Sequence, residues 1–237
     1  MLVTKSSNQK YQQLIRASLD MEKFDEDIST LMERIYVSEG NVNYELARIA
    51  QRLMELYRKR LVKINHSVME LLCAKHLILR GYSVDVEHQL NETLICDLFG
   101  VRGEGKLIVE IETGFTSPEH ALDPSTYNKA RVASKVARYS AFSDKFGLGT
   151  PPTNILQIPE VFQKPPRYRK ADEITDVKAL CDKYYKNPPV SFDEIKNARL
   201  HAIYIIDVDG VIVREIDPES YIDEVSKIPF IKREFLE

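Results

Sequence analysis

The sequence predicts an α/β domain, in which a central sheet is flanked by helices, with a helical extension at its N-terminus. Apolar residues recur at helical spacing over residues 44–80, and three short apolar segments with strand-like alternation follow within residues 83–112. A further helical segment begins near residue 124, and apolar segments that are typical of strands come after it. Helices that alternate with short strands favour this fold class.

The N-terminal residues 9–36 predict two short helices, with Asp25 as a plausible cap. Their apolar side chains recur at helical spacing and are Phe24, Ile28, Leu31 and Ile35. We expect these helices to form a lid or a docking surface, which would suit a second copy of the chain or another protein partner.

The apolar stripe over residues 44–80 predicts a long helical region that ends at Gly81, since glycine commonly follows the last turn of a helix. The polar residues within 64–67 predict a break in this region. We expect Asn65 or Ser67 to cap the helix that follows the break.

Three strands are predicted at residues 83–89, 93–101 and 106–112, and a glycine-containing turn joins the last two into a hairpin. A helix is predicted over residues 126–146, with Gly147 and Gly149 terminating it.

The remaining chain predicts a strand at residues 154–161, a basic loop at 163–170, a helix at 174–185 and a hairpin at 201–216 with a short helix behind it. The predicted organisation is a helical extension (1–43) and an α/β domain (44–237). Within that domain we predict a core at about 64–161 and a C-terminal elaboration at 162–237.

The bulk composition indicates a folded protein. The chain has 237 residues, is 43% hydrophobic and carries a formal charge of −3, so a nucleic-acid surface would have to be a local basic patch. Its three cysteines lie far apart, which argues against a disulfide framework or a zinc knuckle. No segment resembles a signal peptide or a membrane span, and we therefore expect a soluble, cytoplasmic protein.

Three carboxylates lie in the predicted hairpin, and they are the most informative feature of the chain. Asp97 interrupts one apolar segment, and Glu110 and Glu112 interrupt the next. Because side chains alternate across a strand, the two glutamates share a face, and hairpin pairing would place Asp97 beside them. Carboxylates in such surroundings usually pair with a cation or bind a metal, and oxygen ligands suit Mg²⁺ or Mn²⁺. The alternative is that these acids point to solvent from an exposed sheet face.

The order helix, three strands, helix, strand, with Glu70 in the helix, Asp97 in the second strand and Glu110-Ile111-Glu112 in the third, resembles the PD-(D/E)xK nuclease superfamily. The resemblance covers roughly residues 64–161. It implies a restriction-endonuclease-like fold with a mixed central sheet and a metal-dependent deoxyribonuclease, which we expect to be an endonuclease. By position, it assigns metal binding to Asp97 and Glu110, completed by Glu70, and it includes Glu112 in the catalytic set.

The chain departs from this family at Glu112, where the family usually has lysine. Glu112 could accept a proton from the attacking water or hold a second metal ion, and carboxylates around it would raise its pKa toward neutrality. Alternatively, Lys129 or Lys135 on the following helix supplies the missing lysine. His66 lies one helical turn before Glu70, and we assign it no role.

Two groups of residues are candidates for contacts with DNA. The first recurs at spacings of four, four and three on the predicted helix, and with the neighbouring lysine it comprises Tyr127, Lys129, Arg131, Lys135 and Arg138. The second lies in the basic loop and comprises Arg167, Tyr168 and Arg169. Arginine can neutralise phosphate and tyrosine can stack on a base, although a solvated helix face and an ordinary basic loop are equally simple interpretations.

Two other classes of function remain open. The absent strand lysine is compatible with a nuclease-like domain that has lost catalysis and serves in nucleic-acid binding or assembly. The N-terminal helices are compatible with a protein-interaction subunit.

Overall fold

The computed structural model describes residues 3–228, and the side chains of residues 19–228. Six strands form one sheet in the order of the chain: β1 (Ser83–Gln89), β2 (Ile95–Arg102), β3 (Gly105–Ile111), β4 (Lys145–Thr150), β5 (Ala202–Asp207) and β6 (Ile212–Ile216). The helices of this part of the chain are α1 (Val3–Arg34), α2 (Gly40–Arg58), α3 (Ile64–Ile78), α4 (Pro124–Tyr139), α5 (Ala171–Tyr184), α6 (Phe192–Asn197) and α7 (Pro218–Ser226).

The sheet is mixed, which confirms an α/β class with a mixed central sheet. Strands β1, β2 and β3 pair antiparallel, β4 lies parallel to both β3 and β5, and β6 returns antiparallel to β5. Helix α4 makes the crossover from β3 to β4, while α5 and α6 lie between β4 and β5 in the chain. Parallel neighbours require such crossover connections.

Helices cover both faces of the sheet. On one face, α1, α2 and α3 pack with Leu107, Val109 and Ile111 of β3. On the other face, α4, α5 and α6 pack with Ile108 of β3 and Phe146 of β4. The alternation along β3 therefore separates two cores, as the sequence pattern of this strand predicts. None of the helices within residues 3–228 combines the length and apolar character that a membrane span requires.

Several N-terminal predictions need correction. Residues 9–36 do not form two short helices, because one helix, α1, runs from Val3 to Arg34. The predicted break near residue 64 is confirmed, but neither Asn65 nor Ser67 caps α3, which begins at Ile64 after Lys63. Along α1, the predicted apolar stripe of Phe24, Ile28, Leu31 and Ile35 is buried in the core, so these side chains pack within the molecule.

The segment after the third strand also differs from its prediction. Helix α4 ends at Tyr139, and the following apolar residues form β4. Residues 154–161 contain no strand, and the short helix α6 is an element that the sequence pattern does not predict. The predicted C-terminal hairpin is confirmed by β5 and β6, which extend the central sheet.

Gly147 explains the error at β4, because it serves strand packing instead of ending a helix. A Cβ atom at Gly147 would lie 2.6 Å from Cε2 of Tyr204, on the neighbouring strand. We expect Gly147→Ala to lower the free energy of unfolding by about 1–3 kcal/mol, because overpacking displaces well-packed neighbours. Gly40→Ala is the matched control, since a Cβ atom there meets nothing within 4 Å. Urea denaturation of both variants tests this prediction, and equal stabilities would contradict it.

Candidate metal centre

A cluster of charged side chains lies where β2 and β3 meet α3 and α4. The β2–β3 hairpin pairs Leu98 with Val109, which places Asp97 next to Glu110. Ile111 N donates to Asp97 Oδ2 at 2.5 Å, and Asp97 N donates to Glu110 Oε1 at 3.1 Å. The two predicted metal ligands of the hairpin are therefore held together by the backbone of the opposite strand.

The acidic residues do not point to solvent. Glu70, Glu110 and Glu112 are 0%, 1% and 3% exposed, and the side chain of Asp97 is 13% exposed. This excludes the alternative of a solvated sheet face. Buried carboxylates need compensation by cations or protons, so the partners of each one determine what the site can do.

Lys135 is the cation at the centre of the cluster. Its Nζ lies 3.1 Å from Glu110 Oε2, 3.0 Å from Glu112 Oε1 and 3.5 Å from Asp97 Oδ2, and it also donates to Ile111 O at 2.9 Å. Burial lowers the pKa of Lys135, but the surrounding carboxylates outweigh that effect and raise it well above its ordinary value. Lys135 is therefore an ammonium group at neutral pH.

Of the two helix lysines considered as replacements for the strand lysine, only Lys135 reaches the acidic residues. Helix α4 brings it there by lying across the end of β3. Lys129, on the same helix, is exposed and lines a separate cavity of about 500 Å³ between α4, α5 and α7.

Glu112 is held by two cations, which corrects its predicted surroundings. Arg131 Nε lies 2.6 Å from Glu112 Oε2, opposite the contact of Oε1 with Lys135. Glu112 is therefore not ringed by carboxylates. The raised pKa belongs to Glu110 instead, since burial and the charge of Asp97 raise it to about 8 in spite of the nearby Lys135.

A second part of the cluster joins two predicted metal ligands, Glu70 and Asp97, to His66 and Glu87, for which the sequence predicts no role. His66, Glu70, Glu87 and Asp97 each offer one ligand atom, and these four atoms lie within 4.8 Å of one another. His66 Nδ1 lies 2.9 Å from Glu70 Oε1, and His66 Nε2 lies 3.6 Å from Asp97 Oδ2. This group of acidic residues and one histidine can hold a metal ion.

The register of the β1–β2 pair is the signal that could have identified Glu87. Val86 pairs with Leu98 and His88 pairs with Cys96, so Glu87 lies between these pairs, beside Asp97. Both strands are predicted from the sequence, but their alignment with each other is not.

The other residues predicted to contact DNA have varied surroundings. Arg131 and Lys135 point into the acidic cluster, while the Tyr127 ring stacks on His120 with centroids 3.9 Å apart. Arg138 donates to Pro188 O. Arg169 donates to Lys164 O, Ile195 O and Lys196 O, which ties the basic loop to α6.

Arg167 and Tyr168 are exposed, and the guanidinium of Arg167 lies 4.7 Å from the centroid of the Tyr168 ring. Both side chains are consequently open to a partner.

The crowding of acids predicts that the metal-free protein loses stability as the pH rises. Burial raises the pKa of Glu110 from 4.5 to about 8. Burial alone would lower the pKa of His66, but Asp97 and the hydrogen bond to Glu70 raise it from 6.5 to about 9. Between the ordinary and the raised value, the folded protein holds a proton that the unfolded chain has released, so each contribution falls as the pH passes through that interval.

We therefore expect the free energy of unfolding in chelator to fall by a few kcal/mol between pH 6.5 and pH 9, because one pKa unit corresponds to about 1.4 kcal/mol. Urea denaturation across this range measures the effect, and Glu110→Gln should make the dependence less steep. A free energy of unfolding that increases over the same pH range would contradict the raised pKa values of Glu110 and His66.

Comparison of the chain with protein-family models, curated proteins and solved structures found no match. The function must therefore be inferred from the chemistry of the cluster. What matters is which of its groups can hold a cation, which remain charged and which are open to a substrate.

Proposed function

We propose that this protein is a metal-dependent nuclease that hydrolyses phosphodiester bonds of DNA, acting as an endonuclease. The observation that carries the proposal is the set of carboxylates from Asp97, Glu110 and Glu112 around Lys135 at the end of a β-hairpin, with the buried Glu70 near Asp97. Hydrolysis of a phosphodiester needs charge stabilisation and an activated water, and this cluster contains groups suited to both tasks.

The order of elements supports a place in the PD-(D/E)xK superfamily. Helix α3, the strands β1, β2 and β3, helix α4 and strand β4 follow one another in the order on which the resemblance rests, with Glu70 on α3, Asp97 on β2 and Glu110 on β3. In this proposal, the fold is restriction-endonuclease-like. Lys135 of α4 takes the part of the lysine that the family usually has at the position of Glu112.

The donor atoms of the cluster fit a hard divalent cation. Of the three residues that the resemblance assigns to the metal, Asp97 and Glu70 would hold the ion, and carboxylate oxygens favour Mg²⁺ or Mn²⁺. Glu110 lies beside them, with its oxygens engaged by Asp97 N and Lys135 Nζ. Among the residues that the structure describes, one buried oxygen of Glu70, Oε2, has no hydrogen-bond partner, so it is available to a cation. When bound, the metal would neutralise charge at the scissile phosphate and lower the pKa of a bound water.

Lys135 and Arg131 are the protein's cations that would stabilise the negative charge of the phosphate. Their side chains are 22% and 19% exposed, so both can be reached from solvent. An ammonium with a raised pKa cannot accept a proton at neutral pH, so Lys135 would donate hydrogen bonds to a phosphate oxygen. Lys135 would therefore act as a cation and not as the group that accepts a proton from the attacking water.

The surface beside the cluster suits a nucleic-acid backbone. Arg131 Nη1 donates to Phe115 O at 2.5 Å, and the Phe115 ring is 63% exposed. Lys63 Nζ lies 5.9 Å from the centroid of that ring. A cation for phosphate and an aromatic face for a base are thus available at the rim, as local contacts on a chain of modest net charge.

Cleavage of labelled linear, circular and branched DNA tests the proposal. We expect cutting in Mg²⁺ or Mn²⁺ and none in chelator, and cutting of the circle would establish an endonuclease. Asp97→Ala and Glu110→Ala, compared at equal fold content, should both lack activity. An RNA substrate of the same sequence examines the preference for DNA.

The opposite result would also be informative. A wild-type protein that cuts no substrate, and whose melting temperature does not respond to either metal, would overturn the proposal. Tight DNA binding without cutting would then favour a nuclease-like binding module. Oligomerisation without DNA affinity would favour an assembly role.

A further inference from the structure

Glu87 has an unusual, left-handed backbone conformation. Its φ angle is +49°, in the left-handed region that residues other than glycine, asparagine and aspartate rarely adopt. The residue interrupts the β1–β2 ladder between the Val86–Leu98 and His88–Cys96 pairs. This local distortion brings its carboxyl group into the cluster with Glu70, Asp97 and His66.

The carboxyl group of Glu87 lies beside that of Glu70. Glu70 is fully buried, and His66 contacts its Oε1 at 2.9 Å. Within the described part of the chain, the other oxygen, Oε2, has no hydrogen-bond partner unless the neighbouring carboxyl of Glu87 carries a proton. The ligand atoms of Glu70 and Glu87 lie within 4.8 Å of each other. Two carboxylates at this distance repel one another, so a proton or a metal ion between them would stabilise the pair.

Glu110 differs in this respect, because both of its oxygens are already engaged. Oε1 accepts a hydrogen bond from Asp97 N at 3.1 Å, and Oε2 lies 3.1 Å from Lys135 Nζ. The carboxylate oxygens that remain available to a cation therefore belong to Glu70 and Glu87, on the α3 side of Asp97. Those of Glu110, on the α4 side, are not available.

We infer that Glu87 is a ligand of the metal ion, which lies between Glu70, Glu87 and Asp97. The inference rests on the metal requirement of the proposed function and adds a ligand from β1, which the family resemblance does not assign. The oxygen-rich donor set selects a hard divalent cation such as Mn²⁺. Glu110 then serves chiefly to hold Lys135 and the Asp97 backbone in place.

Calorimetric titration of the full chain with Mn²⁺, without DNA, tests this assignment directly. We expect Glu87→Gln to weaken binding at least about tenfold, since even partners outside the direct ligand shell commonly contribute that much. Glu92→Gln is the matched control, because Glu92 is exposed in the loop between β1 and β2, and its affinity should equal that of the wild type. Glu110→Gln should bind Mn²⁺ more tightly than Glu87→Gln does.

A second variant distinguishes the loss of a metal ligand from misfolding of the protein. Glu87→Gly removes the carboxyl group and suits the left-handed backbone, so it should fold in chelator and still bind Mn²⁺ weakly. The melting temperature in chelator and its increase on adding Mn²⁺ provide an independent readout. The increase should be smaller for both Glu87 variants than for Glu92→Gln.

The outcomes separate the inference from the proposed function. Wild-type affinity in both Glu87 variants would overturn the role of Glu87 and leave the nuclease proposal intact. Absence of Mn²⁺ and Mg²⁺ binding by the wild type would overturn the metal requirement, and the inference with it.

Discussion

Asp97→Asn is expected to reduce metal-dependent DNA cleavage at least about hundredfold without unfolding the protein. The side-chain carbonyl of asparagine can still accept the hydrogen bond that Ile111 N gives to Asp97 Oδ2, so the hairpin is retained. What disappears is the negative charge that faces both His66 and Lys135, at 3.6 and 3.5 Å. A neutral amide is a poor substitute for a carboxylate as a ligand of a hard cation.

The matched control for this change is Asp144→Asn. Asp144 Oδ2 also accepts a backbone hydrogen bond from β3, from Lys106 N at 2.8 Å, but it lies at the opposite end of that strand. The two variants should have similar far-ultraviolet circular dichroism, and only Asp97→Asn should lose cleavage. Equal activity of both would remove Asp97 from the site.

The same variant has a spectroscopic consequence that does not depend on turnover. The charge of Asp97 helps to raise the pKa of His66 to about 9 against the opposing effect of burial. We therefore expect the pKa of His66 to fall in Asp97→Asn, and titration of its ring signals by NMR measures the change. An unchanged value would show that the two side chains do not interact in solution.

Lys135→Met is expected to lower both stability and activity. The substitution leaves Glu110 and Glu112 buried without the ammonium that lies about 3 Å from each of them. Removal of one partner from a buried ion pair commonly costs about 3–5 kcal/mol, and Arg131 compensates only part of the loss because its contact is with Glu112. Loss of charge stabilisation at the phosphate should reduce cleavage by about 10²–10³-fold.

Urea denaturation at pH 7.5 measures the stability of this variant, with Lys129→Met as the control on the same helix. Lys129 is exposed and lies away from the acids that surround Lys135, so its replacement should have little effect. The deficit of Lys135→Met should shrink at pH 5, where protonation of the carboxyl groups relieves the uncompensated charge. A stability equal to that of the control at pH 7.5 would contradict the central role of Lys135.

These experiments address a site that lies at the end of a strand, where both faces of the sheet become accessible. Ile111, the last residue of β3, illustrates the arrangement, because its carbonyl oxygen contacts His66 from α3 and Lys135 from α4. Groups from opposite faces of the sheet can thus act on one substrate. Cations from α4 would meet the phosphate, while the carboxylates beside α3 would hold the metal.

The acidic hairpin follows from local sequence patterns alone. Alternation of apolar and acidic residues fixes which face each side chain takes, and a short glycine-containing turn fixes which strands pair. For that reason the amino-acid sequence is enough to place Asp97, Glu110 and Glu112 together, and to predict β5 and β6 around their Asp209-Gly210 turn. Local patterns suffice where the interacting residues are close in the chain.

Relations between distant parts of the chain emerge only in the folded molecule. The pattern around Gly147 predicts the end of a helix, whereas the role of this glycine is set by Tyr204, on a strand that comes much later. The choice of Lys135 over Lys129 depends on how α4 lies across β3, and the place of Glu87 depends on the register and distortion of β1. Long-range packing determines these relations, and neither helical spacing nor strand alternation encodes that packing.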